Sequence, residues 1–257
     1  GWRGDSHFHL FVVDVETLES RQITDGDWDD TAPVWSSDGS QIAFISGRGD
    51  DRDLLALSEA YTVSVTGGNA KLISEGLNSV GALVWSPDGQ RVAVVGSDAP
   101  EGMVLWQGWL YILEEGKHPR KLTSDVIRPY LGFPSVMRPA SLYWTEDDQI
   151  LFLGESSGES FIYQTSTGVE VPAESGNTEI LWGGDCLATG LAVNQTADQA
   201  VVVVSSPDSP AELFQIDIPI GGSIQISNHN GDYIKDHPAA GFEKFLIIRP
   251  EFEVECR

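Results

Sequence analysis

The sequence predicts an all-β fold made of repeated four-stranded antiparallel units, and three observations lead to this class. The segment P-V-W-S-S-D-G-S-Q-I-A-F-I-S at 33–46 returns 50 residues later as L-V-W-S-P-D-G-Q-R-V-A-V-V-G at 83–96. Each copy is followed by a second pair of apolar stretches with glycine between them. Amphipathic helical spacing is nowhere sustained over about 10 residues, so helices are not expected to build the core.

Each copy carries the residues that a tight hairpin requires. A short apolar strand ends at the tryptophan, a Ser-x-Asp-Gly segment turns the chain, and a β-branched strand runs back. Gly39 and Gly89 supply the positive φ that residues with a Cβ resist, and Pro87 suits the second position of its turn. The two copies are therefore expected to be equivalent inner strand pairs.

Two weaker copies extend the repeat. L-Y-W-T-E-D-D-Q-I-L-F-L-G-E occupies 142–155, and A-V-N-Q-T-A-D-Q-A-V-V-V-V-S occupies 192–205 with Gln195 in the position of the tryptophan. We expect the tryptophans to anchor the core, because they recur at equivalent positions. The four positions, separated by 50, 59 and 51 residues, are Trp35, Trp85, Trp144 and Gln195.

A second strand pair is expected after each hairpin, and glycines between its strands mark the turns. The expected pairs are 61–65 with 71–73, 110–113 with 120–123, 161–165 with 169–171, and 213–218 with 223–226. Four antiparallel strands in a unit of roughly 40–60 residues are typical of a β-propeller blade.

The repeat divides the chain into a half-blade, four blades and an exit segment. The half-blade, at 1–31, contains an outer strand pair at 9–15 and 19–24 without an inner pair. A seven-bladed ring at about 45 residues a blade needs over roughly 300 residues, so we expect part of a ring. The blades span about 32–74, 82–123, 140–172 and 189–227, and the exit segment spans 228–257.

The composition excludes polyanionic partners. The chain has 15 Lys+Arg against 39 Asp+Glu, a net charge of −24, so nucleic acids and anionic membrane surfaces are repelled.

No apolar run reaches the about 18 residues of a membrane span, and no basic, apolar leader precedes Trp2, which predicts a cytoplasmic protein. Cys186 and Cys256 suggest neither a disulfide framework nor a metal site.

The repeats resemble a known family. The stretch 9–46 resembles TolB-type propeller repeats and, more closely, the propeller of prolyl oligopeptidase-family serine peptidases, especially the acylaminoacyl-peptidase and dipeptidyl-peptidase-like branch. The segments S-S-P-D-S-P-A-E-L-F-Q-I-D-I (205–218) and Q-I-S-N-H-N (225–230) resemble the last blade and exit of that propeller. The stretch 245–256 resembles the start of the crossing into an α/β-hydrolase domain.

This resemblance implies a peptidase whose propeller restricts entry to oligopeptides. The catalytic residues would lie in an α/β-hydrolase domain of the same polypeptide, because about 30 residues after the last blade are too few for that fold. No catalytic residue, cofactor or metal is assigned to this chain, which should be inactive alone. Expected partners are the hydrolase domain, peptide substrates and, through open blade faces, a second copy. An incomplete ring also leaves unpaired strand edges, and strand pairing between the exit segment and the half-blade is another way to cover them.

Two alternatives stay open. The first is a self-contained TolB-like interaction module without a peptidase partner. The second is a propeller enzyme with its own site, such as a polysaccharide lyase or glycosidase. It is disfavoured, because no histidine cluster is present and carboxylates are too abundant to single out a catalytic pair.

The candidate substrate contacts are Trp109, Tyr111, Glu114 and Glu115. Together with Trp106 they resemble the Trp-Tyr-Glu-Glu region with which dipeptidyl peptidases hold a substrate amino terminus. Paired carboxylates can neutralise an ammonium group. The spacing departs from that family's pattern, and 110–113 also fits an outer strand, so a structural role is the alternative.

Several other motifs are interpreted as structural. The segment 154–158 satisfies G-x-S-x-G around Ser156, but a strand follows where a nucleophile elbow needs a helix, so we expect a hairpin connection. The adhesion tripeptide occurs at 3–5 and again at 48–50, where it is expected to form a solvated charged loop. Asn194 begins a glycosylation sequon that matters only in a secreted protein.

Two short clusters contain metal-ligand residue types. Asp25, Asp27 and Asp29 alternate, but an EF-hand needs glycine and glutamate at later positions where this chain has Asp30 and Ser36. We interpret them as an acidic connection between blades. His7 and His9 lie two residues apart and share one face of a strand, without an identifiable third ligand.

Overall fold

The fold is described from a computed structural model of the chain. It covers residues 6–49, 57–99, 108–130, 141–168, 178–239, 243, 245–249 and 253–256. These residues form six antiparallel sheets and one short helix, as an all-β repeat predicts.

The half-blade is a two-stranded sheet. Its strands are β1 (Phe11–Val13) and β2 (Ser20–Gln22), with Phe11 opposite Gln22. No inner strand pair accompanies them among the described residues. This matches the outer pair that the sequence predicts, although both strands are shorter than expected.

The first and second blades have four strands each, in sequential order. In both, the last residue of the inner strand is the repeat tryptophan, since Trp35 lies opposite Ile42 and Trp85 opposite Val92. The first blade is β3 (Asp30–Trp35), β4 (Gln41–Ser46), β5 (Glu59–Ser64) and β6 (Lys71–Leu72). The second is β7 (Ser79–Trp85), β8 (Arg91–Ser97), β9 (Trp109–Glu114) and β10 (Arg120–Lys121).

The third blade differs from the prediction at both edges. Its inner position is shared by β11 (Arg128–Pro129) and β12 (Leu142–Trp144), which both pair with β13 (Gln149–Ser156). The outer strand expected at 169–171 lies outside the described residues. The described partner of β14 (Glu159–Ser166) is β15 (Thr178–Gly184), so this blade extends beyond its predicted end at 172.

The fourth blade corrects the alignment of the last repeat. Val193 lies opposite Ala200, and Asn194 N–H donates to Gln199 O at 3.0 Å, as Ser36 N–H donates to Gln41 O in the first blade. Val193, not Gln195, therefore occupies the tryptophan position. The prediction was wrong because the degenerate turn kept no motif to fix its register. The strands are β16 (Leu187–Val193), β17 (Gln199–Ser206), β18 (Ser209–Asp217) and β19 (Gly222–Gln225).

The hairpin turns form as the sequence predicts. The Asp38 carboxylate accepts the Ser36 hydroxyl at 2.7 Å and the Ser40 N–H at 2.9 Å, and Gly39 has φ 71°. The Ser40 N–H contributes most to lowering the pKa of Asp38. Both Ser-x-Asp-Gly turns are therefore closed by hydrogen bonds from their own side chains.

The core lies between successive sheets. Four apolar clusters occupy the half-blade–first, first–second, second–third and third–fourth contacts. Phe44, Phe152 and Ile216 are wholly buried examples. Each such side chain contributes about 1.5–3 kcal/mol on burial. Sheets that each pack face to face with the next one along the chain form the blades of a propeller.

The repeat tryptophans are not equally buried. Trp144 is 5% exposed, Trp85 is partly buried with its indole N–H donating to Val34 O at 3.1 Å, and Trp35 is 51% exposed. Trp85 contacts the inner strand of the preceding blade. The half-blade has no described inner strand to cover Trp35, so the expectation that Trp35 anchors the core was wrong.

The two ends of the blades carry different connections. The inner hairpins, including 36–41 and 86–91, lie at what we call the hairpin end. Antiparallel order places the blade-to-blade connections at the opposite end, together with the residues after β19. We call this the exit end, because the chain leaves the fourth blade there.

The exit segment contains α1 (Gly231–Asp236), β20 (Phe245–Ile248) and β21 (Glu253–Cys256). β20 pairs with β21, and no described strand of the segment pairs with the half-blade. Residues 245–248 are all exposed. No helix in the described part of the chain is long and apolar enough to cross a bilayer.

Candidate functional site

Three of the predicted substrate contacts lie in β9 and Glu115 follows that strand, so the four do not meet at one point. Trp109 begins the strand at the exit end, and Glu114 ends it at the hairpin end. At about 3.3 Å per residue these two residues lie about 16 Å apart. Tyr111 and Trp109 pack into the core between the first and second blades. Trp106 lies outside the described residues.

Trp109 and Tyr111 pack against other side chains of the protein. Lys121 Nζ lies 4.0 Å from the centre of a Trp109 ring and pairs with Asp125 at 2.8 Å. Tyr111 is 4% exposed, and burial raises the pKa of its phenol, with the Asp98 carboxylate adding to the effect. Neither aromatic residue lines the cleft described next.

Glu114 and Glu115 line a cleft between the first and second blades. Its volume is about 680 Å³, and a second cavity of about 300 Å³ shares both glutamates and Lys71. Lys71 bonds to Glu115 and lowers the pKa of that carboxyl, while Lys117 pairs with Glu114 at 2.6 Å. The cleft therefore carries side chains of both charges, and its lining also includes the partly buried Trp85.

The two clusters of metal-ligand residue types meet at the exit end. His7 Nε2 lies 2.9 Å from Asp27 Oδ1, and His7 Nδ1 lies 3.5 Å from Asp29 Oδ1. His9 Nδ1 lies 3.4 Å from Asp30 Oδ2. Within the described ranges, no group of three or more His, Cys, Asp or Glu residues is arranged to hold a metal ion. The sequence did not predict these contacts, because the histidines and the aspartates are about 20 residues apart in the chain.

Arg48, the first residue of the second adhesion tripeptide, is mostly enclosed, with its side chain 15% exposed. Its Nη2 donates to Asp30 Oδ1 at 2.7 Å, and the Asp30 side chain is 0% exposed. Its guanidinium carbon lies 4.9 Å from a Trp28 ring, 5.1 Å from Phe44 and 4.8 Å from Tyr61. The prediction of a solvated loop was wrong for Arg48. Asp50 and the tripeptide at 3–5 lie outside the described residues.

Ser156 lies in the predicted hairpin connection. It pairs with Glu159 across the β13–β14 turn, where Ser157 and Gly158 have φ values of 51° and 75°. A strand therefore follows the serine, where a nucleophile elbow needs a helix. The prediction of a hairpin connection is confirmed.

The sequence of the chain was compared with known protein families and with curated proteins. No model of a known protein family matches the chain. An 86-residue stretch is 33% identical to the uncharacterized peptidase YuxL of Bacillus subtilis (strain 168), covering 34% of this chain and 12% of that protein. The chain thus spans only a small part of this relative.

The solved structures share the fold at low sequence identity. TolB from Acinetobacter baumannii matches at TM-score 0.60 and 17% identity, over 85% of this chain and 48% of its own. An oligogalacturonate lyase in complex with manganese matches at TM-score 0.64 and 17% identity, over 93% of this chain and 67% of its own. A puromycin-hydrolyzing peptidase of Mycobacterium tuberculosis matches at TM-score 0.61 and 16% identity, over 81% of this chain and 30% of its own. The fold is a TolB-like β-propeller. Its structural neighbours include propeller domains of prolyl oligopeptidase-family peptidases.

The propeller fixes the exit segment through one buried carboxylate. Glu212, in β18, is 4% exposed; its Oε1 accepts the Asn230 N–H at 2.7 Å and its Oε2 accepts the Ser227 hydroxyl. These bonds, the one from Ser227 first, lower the pKa of Glu212 to about 2. Sequence reasoning missed this residue. The only signal was a glutamate beside apolar residues in the last strand pair.

Glu212→Gln is expected to loosen the exit segment at pH 7, because the amide keeps one acceptor oxygen and replaces the other with a nitrogen that cannot accept, so one of the two bonds is lost. Trypsin cleavage after Lys235 should become about tenfold faster, since local opening controls cleavage. In the unaltered propeller the folded pKa of Glu212 is below its ordinary 4.5, so the anchor is intact above that pH and is lost as the pH falls toward 2. Hydrogen exchange across 227–236 measures this. The exposed Glu179→Gln is the matched control, and equal cleavage of both variants would contradict the anchor.

Proposed function

We propose that this propeller is the non-catalytic part of a prolyl oligopeptidase-family serine peptidase and limits the access of peptides to the active site. The observation that carries the proposal is the 33% identity to the peptidase YuxL, found on a chain with this fold. The peptidase neighbours join their propellers to a catalytic domain in the same chain, which supports a partner of that kind here.

The exit end is where the catalytic domain would sit. The chain leaves the fourth blade there, and Glu212 holds the first residues of the exit segment in one direction. A fixed departure direction favours a following domain that docks rather than swings freely. Acylaminoacyl- or dipeptidyl-aminopeptidase-like specificity and a cytoplasmic location belong to the same proposal.

Glu114 and Glu115 are the proposed peptide contacts of the cleft. Lys71 and Lys117 already show that an ammonium group can sit on each carboxylate, and both lysines are more than half exposed. A peptide amino terminus could therefore replace one of them at small cost. Trp109 and Tyr111 would act only by holding β9 in place.

The test compares hydrolysis of peptidyl p-nitroanilides by the 257-residue chain and by the polypeptide that continues past Arg257. We expect no hydrolysis by the chain alone and turnover by the longer polypeptide. Because Glu114 and Glu115 lie at the hairpin end, the Glu114→Gln and Glu115→Gln double variant of that polypeptide should raise KM by about tenfold, with little change in kcat, only for oligopeptides long enough to extend there from the exit end. Glu179→Gln is the control. Hydrolysis by the chain alone would overturn the proposal.

A TolB-like interaction module is the second candidate, and the match to TolB over 85% of the chain favours it. The reading frame after Arg257 separates the two. A continuation of about 250 residues with a strand–elbow–helix nucleophile favours the peptidase. A stop codon at that point favours the module.

A further inference from the structure

We propose that Arg48 occupies, from within the chain, a preformed binding pocket for a guanidinium group, and that the pocket accepts the arginine side chain of a peptide when Arg48 is displaced. The pocket, which we call the Arg48 cage, consists of Trp28, Asp30, Phe44 and Tyr61. It lies at the exit end, at the contact between the half-blade and the first blade.

The geometry of the Arg48 cage suits a planar cation. Three aromatic rings surround the guanidinium carbon at 4.8–5.1 Å. The wholly buried Asp30 carboxylate accepts a guanidinium N–H at 2.7 Å. Arginine is favoured over lysine in such a site, because its flat cation stacks on rings and bonds to a carboxylate at the same time.

The walls of the cage do not depend on Arg48. Phe44 is 0% exposed and stacks on Tyr61 with ring centres 5.8 Å apart, and both belong to the core beneath the half-blade. The Tyr61 hydroxyl donates to Glu59 at 2.8 Å. Asp30 is held by its backbone N–H, which donates to Phe8 O at 2.8 Å. Removing the Arg48 side chain should therefore leave a pocket rather than a collapsed site.

Arg48 is placed to leave the cage. It lies two residues after the end of β4, so its backbone belongs to the connection between β4 and β5 and not to a strand ladder. Among the described residues, the other hydrogen bond of its side chain runs from Nε to the Ser46 hydroxyl, at 3.2 Å. The net charge of −24 attracts cationic peptides over long distances, which favours a competing arginine.

The test is chemical rescue of Arg48→Ala. Ethylguanidinium replaces the atoms that this substitution deletes. The melting temperature of Arg48→Ala should fall below that of the unaltered chain and rise again with ethylguanidinium, with binding in the millimolar range by titration calorimetry, as expected for so small a probe. Ethylammonium and sodium chloride at equal ionic strength should give no recovery. Arg21→Ala is the matched control, because Arg21 bonds to the carbonyls of Val65 and Thr66 on the surface and should show no rescue.

A second arm tests recognition of peptides. Gly-Arg-Gly amide should bind Arg48→Ala at least about tenfold more tightly than the unaltered chain, where Arg48 competes, and Gly-Lys-Gly amide should not show this difference. If Arg48→Ala is unfolded in buffer, recovery of its near-ultraviolet circular dichroism with ethylguanidinium supports the proposal. Equal effects of ethylguanidinium and ethylammonium, or no effect of either, would overturn it.

Discussion

Asp30→Ala is expected to lower the free energy of unfolding by about 3–5 kcal/mol. The substitution leaves the Arg48 guanidinium enclosed by Trp28, Phe44 and Tyr61 without its carboxylate. A buried charge that loses its partner retains its desolvation cost and loses the compensating attraction. The effect is large because the Asp30 side chain is wholly buried and cannot be replaced by water without opening the cage.

Urea denaturation followed by tryptophan fluorescence and circular dichroism measures this loss. Asp236→Ala, at an exposed position of α1, is the control and should change stability by less than about 0.5 kcal/mol. Asp30→Ala should cost less in an Arg48→Ala background, because the unpaired charge is then gone. A loss below about 1 kcal/mol for the single Asp30 variant would mean that the ion pair is solvated.

Trp144→Ala is the second large effect, at about 3–5 kcal/mol. Trp144 lies in the core between the second and third blades. Its indole N–H donates to Asp148 at 3.0 Å, and the Arg91 guanidinium carbon lies 5.0 Å from its ring. Arg91 also bonds to Asp148 at 2.9 Å, so the two blades share one network around this indole. Alanine leaves a cavity and removes the surface on which Arg91 rests.

Trp35→Ala is the matched control for Trp144→Ala, because it occupies the same position in the repeat. Its side chain is half exposed, so its loss should cost less than about 1 kcal/mol. Equilibrium unfolding of the two variants under the same conditions compares them directly. Equal losses would mean that the position in the repeat, and not the neighbouring blade, sets the contribution of the tryptophan.

The candidate cleft could be predicted only in part. Glu114 and Glu115 were singled out by a resemblance, and both line the cleft between the first and second blades. Lys71 could not be anticipated, because it comes from another blade, 44 residues away from Glu115. Trp109 and Tyr111 were grouped with the glutamates by sequence proximity, whereas the extended strand directs them into the core.

The sequence by itself determined the strands, the hairpin turns and the order of the blades. These features depend on neighbouring residues: the alternation of apolar side chains, and turns such as Ser36–Ser40 that close through Asp38. The same reasoning from neighbouring residues wrongly placed Gln195 in the tryptophan position, because the turn residues of the fourth blade differ from the motif.

Only the tertiary structure decided which equivalent positions are buried and which charges meet. Trp144 is buried and Trp35 exposed because a complete inner hairpin precedes one and not the other among the described residues. Asp30 meets Arg48, and Glu212 meets Asn230, across 18 residues each. Burial and ion pairing depend on what packs against a strand from the neighbouring blade, and a repeat that gives every blade the same local pattern does not encode that difference.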